Sequence, residues 1–176
     1  MSRRTAALAL AAAMAFGCAA RPVVKEGVDV WRYRKIGVVD FVSFGFFYES
    51  GAAVADEFVR KLMVRQIEVV RISRSDADGV AYDDLARRHN VDAILTGTVT
   101  KYSPDVEDRL FFRDARGDIV SEMVLRDAQA GASVMLIDGE TGGVVWTDSY
   151  SYRGFEIDNT IHVVADVIAR RMFPKY

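Results

Sequence analysis

Short β-branched runs and amphipathic segments alternate along the chain from Lys35 onward. Residues 35–42 (KIGVVDFV) are apolar between polar flanks, which is typical of a buried strand. In residues 51–66 the apolar positions recur every fourth residue, as at Val54, Phe58 and Leu62. Glu57 and Lys61 fall on the opposite, polar face, so this pattern predicts an amphipathic helix with Ser50 as its N-cap.

A second unit of the same kind follows. Residues 67–73 (IEVVRIS) predict a strand, residues 81–90 a short helix with acids early and bases late, and residues 91–102 a third strand. Two β-α units in series predict parallel pairing of the first three strands. Between them, DADG at residues 76–79 is interpreted as a turn, because it lacks the later acidic ligands of a calcium loop.

The pattern changes after Pro104. Residues 105–129 are rich in charge and predict a hairpin that turns at ARGD, while residues 132–138 and 143–153 predict two antiparallel strands joined by GETGG. The last segment, residues 159–172, predicts a helix capped by Asp158 or Asn159. Its apolar face consists of Ile161, Val164, Ala165, Ile168 and Met172.

The predicted fold class is therefore α/β, with a mixed sheet. Its order is β-α-β-α-β, followed by an antiparallel hairpin and a C-terminal helix, in a single domain over residues 35–176. About half of the residues are apolar, which suffices for one ordinary core.

The start of the chain predicts export. Residues 1–17 carry Arg3 and Arg4 before an uncharged run that is too short for a membrane span, which is typical of a signal peptide. The end of this segment, AFGC, resembles the lipobox of bacterial lipoproteins. The resemblance makes Cys18 the mature N-terminus, carrying diacylglycerol and an N-acyl chain.

The alternative is ordinary cleavage near GCAA with a free Cys18 thiol. Since Cys18 is the only cysteine, it has no intramolecular disulfide partner, and lipidation explains it more simply. Ala19 rather than Asp follows it, which by resemblance to bacterial lipoprotein sorting favours the outer membrane, with the domain facing the periplasm. Residues 18–34 are expected to be a short leader of at most about 50 Å.

Charge and chemistry restrict the function. The net charge of −2 becomes −4 once Arg3 and Arg4 are removed, and no basic stripe is present, so a nucleic-acid partner is not expected. No phosphate-binding glycine loop or serine elbow occurs. His89 and His162 are interpreted as solvated or capping residues, so we expect neither a catalytic site, a metal nor a cofactor beyond the lipid.

Five aromatic residues stand close together in FVSFGFFYES. Phe44, Phe46, Phe47 and Tyr48 follow the first strand, at the edge of a parallel sheet where loops bind partners. Some of them would cover the sheet end or the helix start. So many aromatics in one loop nevertheless predict an exposed patch that contacts an envelope protein, a second copy or a membrane surface.

Three phrases, KIGVVDF, VDAILTGTVTKY and ASVMLIDGETGGVVWTDSYS, are similar to the CsgG/LpoB-like family of bacterial envelope lipoproteins. The resemblance rests on Gly97 within a strand, on an Asp-x-x-Thr-Gly turn at Asp138 and on Trp146 beyond it. It covers residues 35–172. Gly97 indicates a bulge or close backbone approach, and Asp138 serves the turn.

The resemblance implies a noncatalytic interaction or assembly module anchored in the outer membrane. Curli-type relatives insert long amphipathic hairpins into a shared pore, but charges such as Asp108 and Arg109 interrupt the apolar stripe of residues 105–129. Relatives that activate peptidoglycan synthesis use a long tether, for which the leader is too short. The alternatives are a subunit of a secretion-type oligomer and, further off, a periplasmic ligand-binding protein or enzyme.

Overall fold

The computed structural model describes residues 21–174, with five side chains of the long hairpin, at positions 105, 106, 108, 125 and 126, left out of the description. The strands are β1 Val23–Val24, β2 Lys35–Val39, β3 Glu68–Ile72, β4 Ala93–Arg113, β5 Ile119–Asp138 and β6 Val144–Gly154. The helices are α1 Ser50–Val64, α2 Arg74–Ala77, α3 Tyr82–His89 and α4 Ile157–Met172, with a 3₁₀ turn at Val30–Arg32.

The strands form one six-stranded mixed sheet in the order β1-β6-β5-β4-β2-β3. β2 lies between β3 and β4 and is parallel to both, which confirms the predicted parallel pairing of the first three strands. The β4–β5, β5–β6 and β1–β6 pairs are antiparallel. The predicted fold class is confirmed, including the hairpin at GETGG and the C-terminal helix.

Helices cover both faces of the sheet. Val38 and Leu95 point into the larger core beneath α1 and α4. Their neighbours Val39 and Ile94 point the other way, into a smaller core beneath α3, as the two-residue period of a strand requires. The predicted apolar face of α4 is buried throughout.

The predicted helix caps are wrong. Ser50 is the first residue of α1, after Glu49, and its buried hydroxyl accepts a hydrogen bond from the backbone N–H of Phe44 (3.0 Å). α4 begins at Ile157, so Asp158 and Asn159 lie within its first turn. At Ser50 the hydroxyl that would cap the helix is bonded to Phe44 of the preceding loop instead.

The second prediction that changes is the break at Pro104. Residues 105–129 do form a hairpin that turns at ARGD, but β4 runs through Pro104 without ending. The β4–β5 register shifts between Ser103 and Val106, and this irregularity accommodates a residue that has no N–H to donate. Two strands of 21 and 20 residues result, longer than the local pattern indicates.

Part of the expected leader lies on the domain. Val23 and Val24 add a short edge strand to β6. The Trp31 ring meets the Phe173 ring edge-on, with centroids 5.2 Å apart, and Tyr33 is buried in the main core. The chain is therefore held against the domain from Val23 onward, before the predicted domain start at Lys35.

The close approach expected at Gly97 is confirmed. A Cβ at Gly97 would lie 2.2 Å from the Ser133 carbonyl oxygen and 2.9 Å from the Phe41 ring. Phe41 is itself buried and stacks on Phe58 of α1, with ring centroids 5.3 Å apart. The missing side chain thus gives Phe41 its place between the sheet and α1.

Gly97→Ala is expected to lower the free energy of unfolding by about 1–3 kcal/mol, because the added methyl group overpacks the Phe41 pocket. Urea unfolding followed by circular dichroism measures this. The matched control is Gly143→Ala, where the added Cβ meets only the Thr141 hydroxyl at 3.4 Å. Equal loss in the two variants would contradict the assignment of Gly97 as a packing position.

Candidate functional site

Residues 44–48, here called the aromatic loop, are held by their own hydrogen bonds. The Ser43 hydroxyl donates to the Tyr48 carbonyl oxygen (2.6 Å), and the Phe47 N–H donates to the Phe44 carbonyl oxygen (3.0 Å). Ser50 receives the Phe44 N–H, and Gly45 adopts a φ of 51°, which favours glycine. The loop is a built structure that does not depend on buried aromatic side chains for its shape.

The predicted site residues do lie together, and they differ in exposure. Phe46 is 89% and Tyr48 79% exposed, whereas Phe44 and Phe47 are about half as exposed. The Phe47 ring packs on Tyr102 of β4, with centroids 5.2 Å apart. Phe47 is therefore packed against the sheet, whereas Phe46 and Tyr48 are the most exposed residues of the loop. Their role as a contact surface stays a prediction.

Phe155, between β6 and α4, is another exposed aromatic residue at the end of the sheet where the loop lies. It is 86% exposed and follows Tyr152, which is level with Tyr102 across the sheet. Burial, and then the carboxylates of Asp158 and Glu49, raise the pKa of Tyr102. Phe155 is not among the predicted site residues, although an aromatic residue before the C-terminal helix is visible in the sequence.

The tip of the β4–β5 hairpin, residues 109–124, is a second exposed apolar surface. Leu110 pairs with Met123, and Phe112 with Ser121, so these residues share one face of the two-stranded ribbon. Leu110, Phe112 and Met123 are each 45–48% exposed. Antiparallel pairing of the residues on either side of the ARGD turn would have predicted this apolar face from the sequence.

Arg109 lies on the other face of the ribbon. Arg109 pairs in register with Val124, and its guanidinium donates to Glu122 (3.2 Å) and lies 3.5 Å from Glu107. Phe111 pairs with Glu122 on this same face, which therefore carries both charged and apolar residues. Arg109 does not interrupt the Leu110 face, whereas the expectation that Asp108 interrupts it stays a prediction.

Asp138 holds the turn at the end of the sheet opposite the aromatic loop. Its Oδ1 accepts hydrogen bonds from the Thr141 N–H and hydroxyl (both 2.9 Å), and its Oδ2 accepts from the Tyr33 hydroxyl (2.8 Å) and from Arg32. Burial alone would raise the pKa of Asp138, but these hydrogen bonds outweigh it and lower the pKa to about 2. This confirms the turn role predicted for Asp138.

Two open clefts lie beside charged groups. The larger cleft, of about 780 Å³, is bounded by the Asp138 turn and α3. The Asp138 carboxylate in its lining already accepts a hydrogen bond from the Tyr33 hydroxyl. The other lies between α1 and α4, where His162 Nδ1 is 2.8 Å from Glu57 Oε1 and Lys61 Nζ is 2.9 Å from His162 Nε2. Glu57 and Lys61, expected on a solvated face, are buried because α4 packs across them.

The two histidines lie in structural positions. His162 belongs to the α1–α4 charge network, and His89 ends α3. Among residues 21–174, no three Asp, Glu, His or Cys residues come together as a group that could hold a metal ion. In the same range no helix has the length and apolar character needed to cross a membrane.

The arrangement of sheet and helices is shared with bacterial lipoproteins. Lipoprotein GNA1162 from Neisseria meningitidis superimposes with a TM-score of 0.54 at 15% identity, over 80% of this chain and 99% of that chain. The C-terminal domain of LpoB from Salmonella enterica is more distant, with a TM-score of 0.39 at 13% identity over 73% and 87% of the two chains. The likeness to GNA1162 supports the lipoprotein part of the sequence resemblance at the level of fold alone. The curli-channel part stays a prediction.

The fold is also that of PelC from Paraburkholderia phytofirmans, whose structure is a dodecamer. The TM-score is 0.64 at 18% identity, over 89% of this chain and 97% of that chain. Identity this low establishes a common fold and nothing about activity. The chain matches no protein-family model and no curated protein.

Asp138→Asn is expected to lose about 2 kcal/mol of unfolding free energy at neutral pH. Because the folded pKa lies below the ordinary value of 3.8, the wild-type contribution is present above that pH and is lost as pH falls toward 2. Urea unfolding at pH 7 and pH 3 should therefore separate wild type from variant more strongly at pH 7. Glu140→Gln, an equal charge change on an exposed neighbour, is the control, and a loss as large there would contradict the prediction.

Proposed function

We propose that this protein is a noncatalytic, lipid-anchored envelope module that acts by assembling into a homo-oligomer. Two observations support the proposal: the shared fold with the PelC dodecamer over nearly the whole of both chains, and an apolar ribbon face with no covering layer. The exposed apolar face of the ribbon carries the proposal, because it is a feature of this chain itself.

The hairpin tip supplies the surface for assembly. A two-stranded ribbon has no second layer of its own, so Leu110, Phe112 and Met123 remain about half exposed side by side. Exposed apolar surface of this kind marks contact sites in exported proteins. Burial of these three side chains against a neighbour stabilises the assembly by removing apolar area from water.

A second copy of this chain fits the tip better than an oppositely charged partner does. Arg109 is already compensated by Glu122 and Glu107 within the same hairpin. Both ion pairs lie within one hairpin, so Arg109 needs no acidic group on a partner to compensate its charge. A copy in a closed ring would present one surface of each subunit to a different surface of the next, so each hairpin would meet a neighbour in the same way.

The anchor is proposed at Cys18, which lies outside the described residues together with the signal peptide at residues 1–17. Cys18 lies five positions before Val23, where the chain joins the sheet, and five extended steps reach about 17 Å. This span, shorter than that of the whole predicted leader, would keep the domain beside its membrane. The outer membrane is proposed from Ala19, and the fold shared with lipoproteins is consistent with an envelope location.

The combined variant Leu110→Ser, Phe112→Ser, Met123→Ser is expected to dissociate the assembly. Light scattering of the protein extracted in mild detergent gives the mass, which should fall from a discrete oligomer to the monomer. The matched control is Phe111→Ser, Val124→Ser, which removes apolar side chains at the same height on the charged face. A monomeric wild type, or equal dissociation in both variants, would reject the proposed interface.

Cys18→Ala is expected to release the protein from the membrane fraction, because a single amphiphilic domain without acyl chains loses the stable anchor. Membrane fractionation measures the change. Arg21→Ala is a control within the same segment that leaves the cysteine in place. Unchanged membrane retention of Cys18→Ala would contradict lipid anchoring.

A further inference from the structure

The direction of β1 shows from which end the chain enters the domain. β1 is antiparallel to β6, with Val23 opposite Thr147 and Val24 opposite Trp146, and the Lys25 N–H donates to the Val145 carbonyl oxygen (2.9 Å). Moving backward along the chain from Val24 therefore means moving forward along β6. The chain enters the sheet from the end at which β6 finishes, at Gly154.

The aromatic loop lies at that same end. Across the sheet, Tyr102 of β4 pairs with Ala130 of β5, and Ala130 pairs with Tyr152 of β6. Phe47 packs on Tyr102, so the loop stands level with Tyr152. Tyr152 lies five positions along β6 from Thr147, the partner of Val23, which corresponds to about 17 Å. Cys18, five residues before Val23, can reach this level.

We propose that the aromatic loop contacts the lipid bilayer to which Cys18 anchors the protein, with Phe46 and Tyr48 seated in the membrane interface and Phe155 beside them. The inference rests on the proposed anchor, and it adds an orientation: the end of the sheet at Gly154 faces the membrane, and the Asp138 turn faces away. The ligand is the bilayer, which receives apolar rings without needing a shaped pocket.

The chemistry of the loop suits a bilayer interface. Phe46 and Tyr48 are the most exposed of its residues, and tyrosine places an apolar ring in the acyl region while its hydroxyl stays among the headgroups. Several polar groups of the loop backbone are satisfied internally, through Ser43, Ser50 and the bond between Phe47 and Phe44, which lowers the cost of leaving water.

The acyl anchor makes a small contact sufficient. Two exposed rings bind a membrane weakly by themselves, but a tether of about 17 Å holds them at a high effective concentration next to it. The hairpin leaves the domain at this end as well. Its register shifts at Val99/Lys101 and Ser103/Val106 bend the strands, so the ribbon need not follow the sheet axis into the bilayer.

Depth-dependent fluorescence quenching tests the orientation. The lipidated full chain, carrying Phe46→Trp, is reconstituted into phosphatidylethanolamine and phosphatidylglycerol liposomes with or without brominated acyl chains. Glu140→Trp, in the turn at the far end of the sheet, is the matched control, and the emission of wild type with Trp31 and Trp146 is subtracted from both. The expected result is quenching of Phe46→Trp several times that of Glu140→Trp.

Flotation of the same liposomes distinguishes the lipid anchor at Cys18 from the proposed orientation of the aromatic loop toward the bilayer. Protein that floats without preferential quenching of Phe46→Trp, or with equal quenching at both ends, overturns the orientation and leaves the anchor standing. Protein that fails to float overturns the anchor and the inference with it. The variant Phe46→Ser, Tyr48→Ser should keep the oligomer mass in detergent, and its dissociation there would assign the loop to a neighbouring subunit and overturn bilayer contact.

Discussion

The packing of the Phe41 ring over Gly97 is the contact on which the exposed end of the molecule depends. The ring fills the space that a side chain on β4 would occupy, and it stacks on Phe58 of α1. It thereby fixes the end of β2 relative to both the central strands and the first helix. The residues that follow are then free to form a loop by short hydrogen bonds, and their own aromatic side chains can face outward.

This arrangement separates aromatic residues by role. Phe41 belongs to the core, Phe47 packs on Tyr102, and Phe46 and Tyr48 have solvent on most sides. Exposed aromatic surface lowers solubility in water unless a partner covers it. The hairpin tip presents the same problem at a different place, where Leu110, Phe112 and Met123 share one face of the ribbon. The two surfaces differ in geometry, a compact loop in one case and a flat ribbon face in the other, which is why different partners are proposed for them.

The far end of the sheet has a different character. Asp138 gathers Tyr33, Thr141 and Arg32 into one bonded group, which ties the segment after β1 to the β5–β6 turn. Between α1 and α4, Glu57, Lys61 and His162 form a second bonded group. Both clusters satisfy their charges within the chain. The two clusters therefore hold parts of the fold together. Among the described residues, the surfaces proposed to contact partners are the apolar ones.

Much of the fold was predictable because it follows from local periods. The four-residue repeat in α1 and α4, the β-branched runs of β2 and β3, and the turn residues of GETGG each predict their element without reference to the rest of the chain. The location of the aromatic loop after β2 follows from the same reasoning. Two of the failures have a visible cause: the Ser50 hydroxyl is bonded to Phe44 of the loop, and pairing with β5 carries β4 past Pro104. The C-terminal helix starts at Ile157, one residue before the predicted cap at Asp158.

By itself the sequence determined the element types, the parallel pairing of the first three strands, the place of the aromatic loop and an expected lipid anchor at Cys18. The tertiary structure was needed to show which aromatics face outward, that Leu110, Phe112 and Met123 share a face, and that β1 enters the sheet from the end at which the aromatic loop lies. The physical reason is that side-chain periods are set by a residue's near neighbours, whereas register and strand direction are set by pairing between residues far apart in the chain.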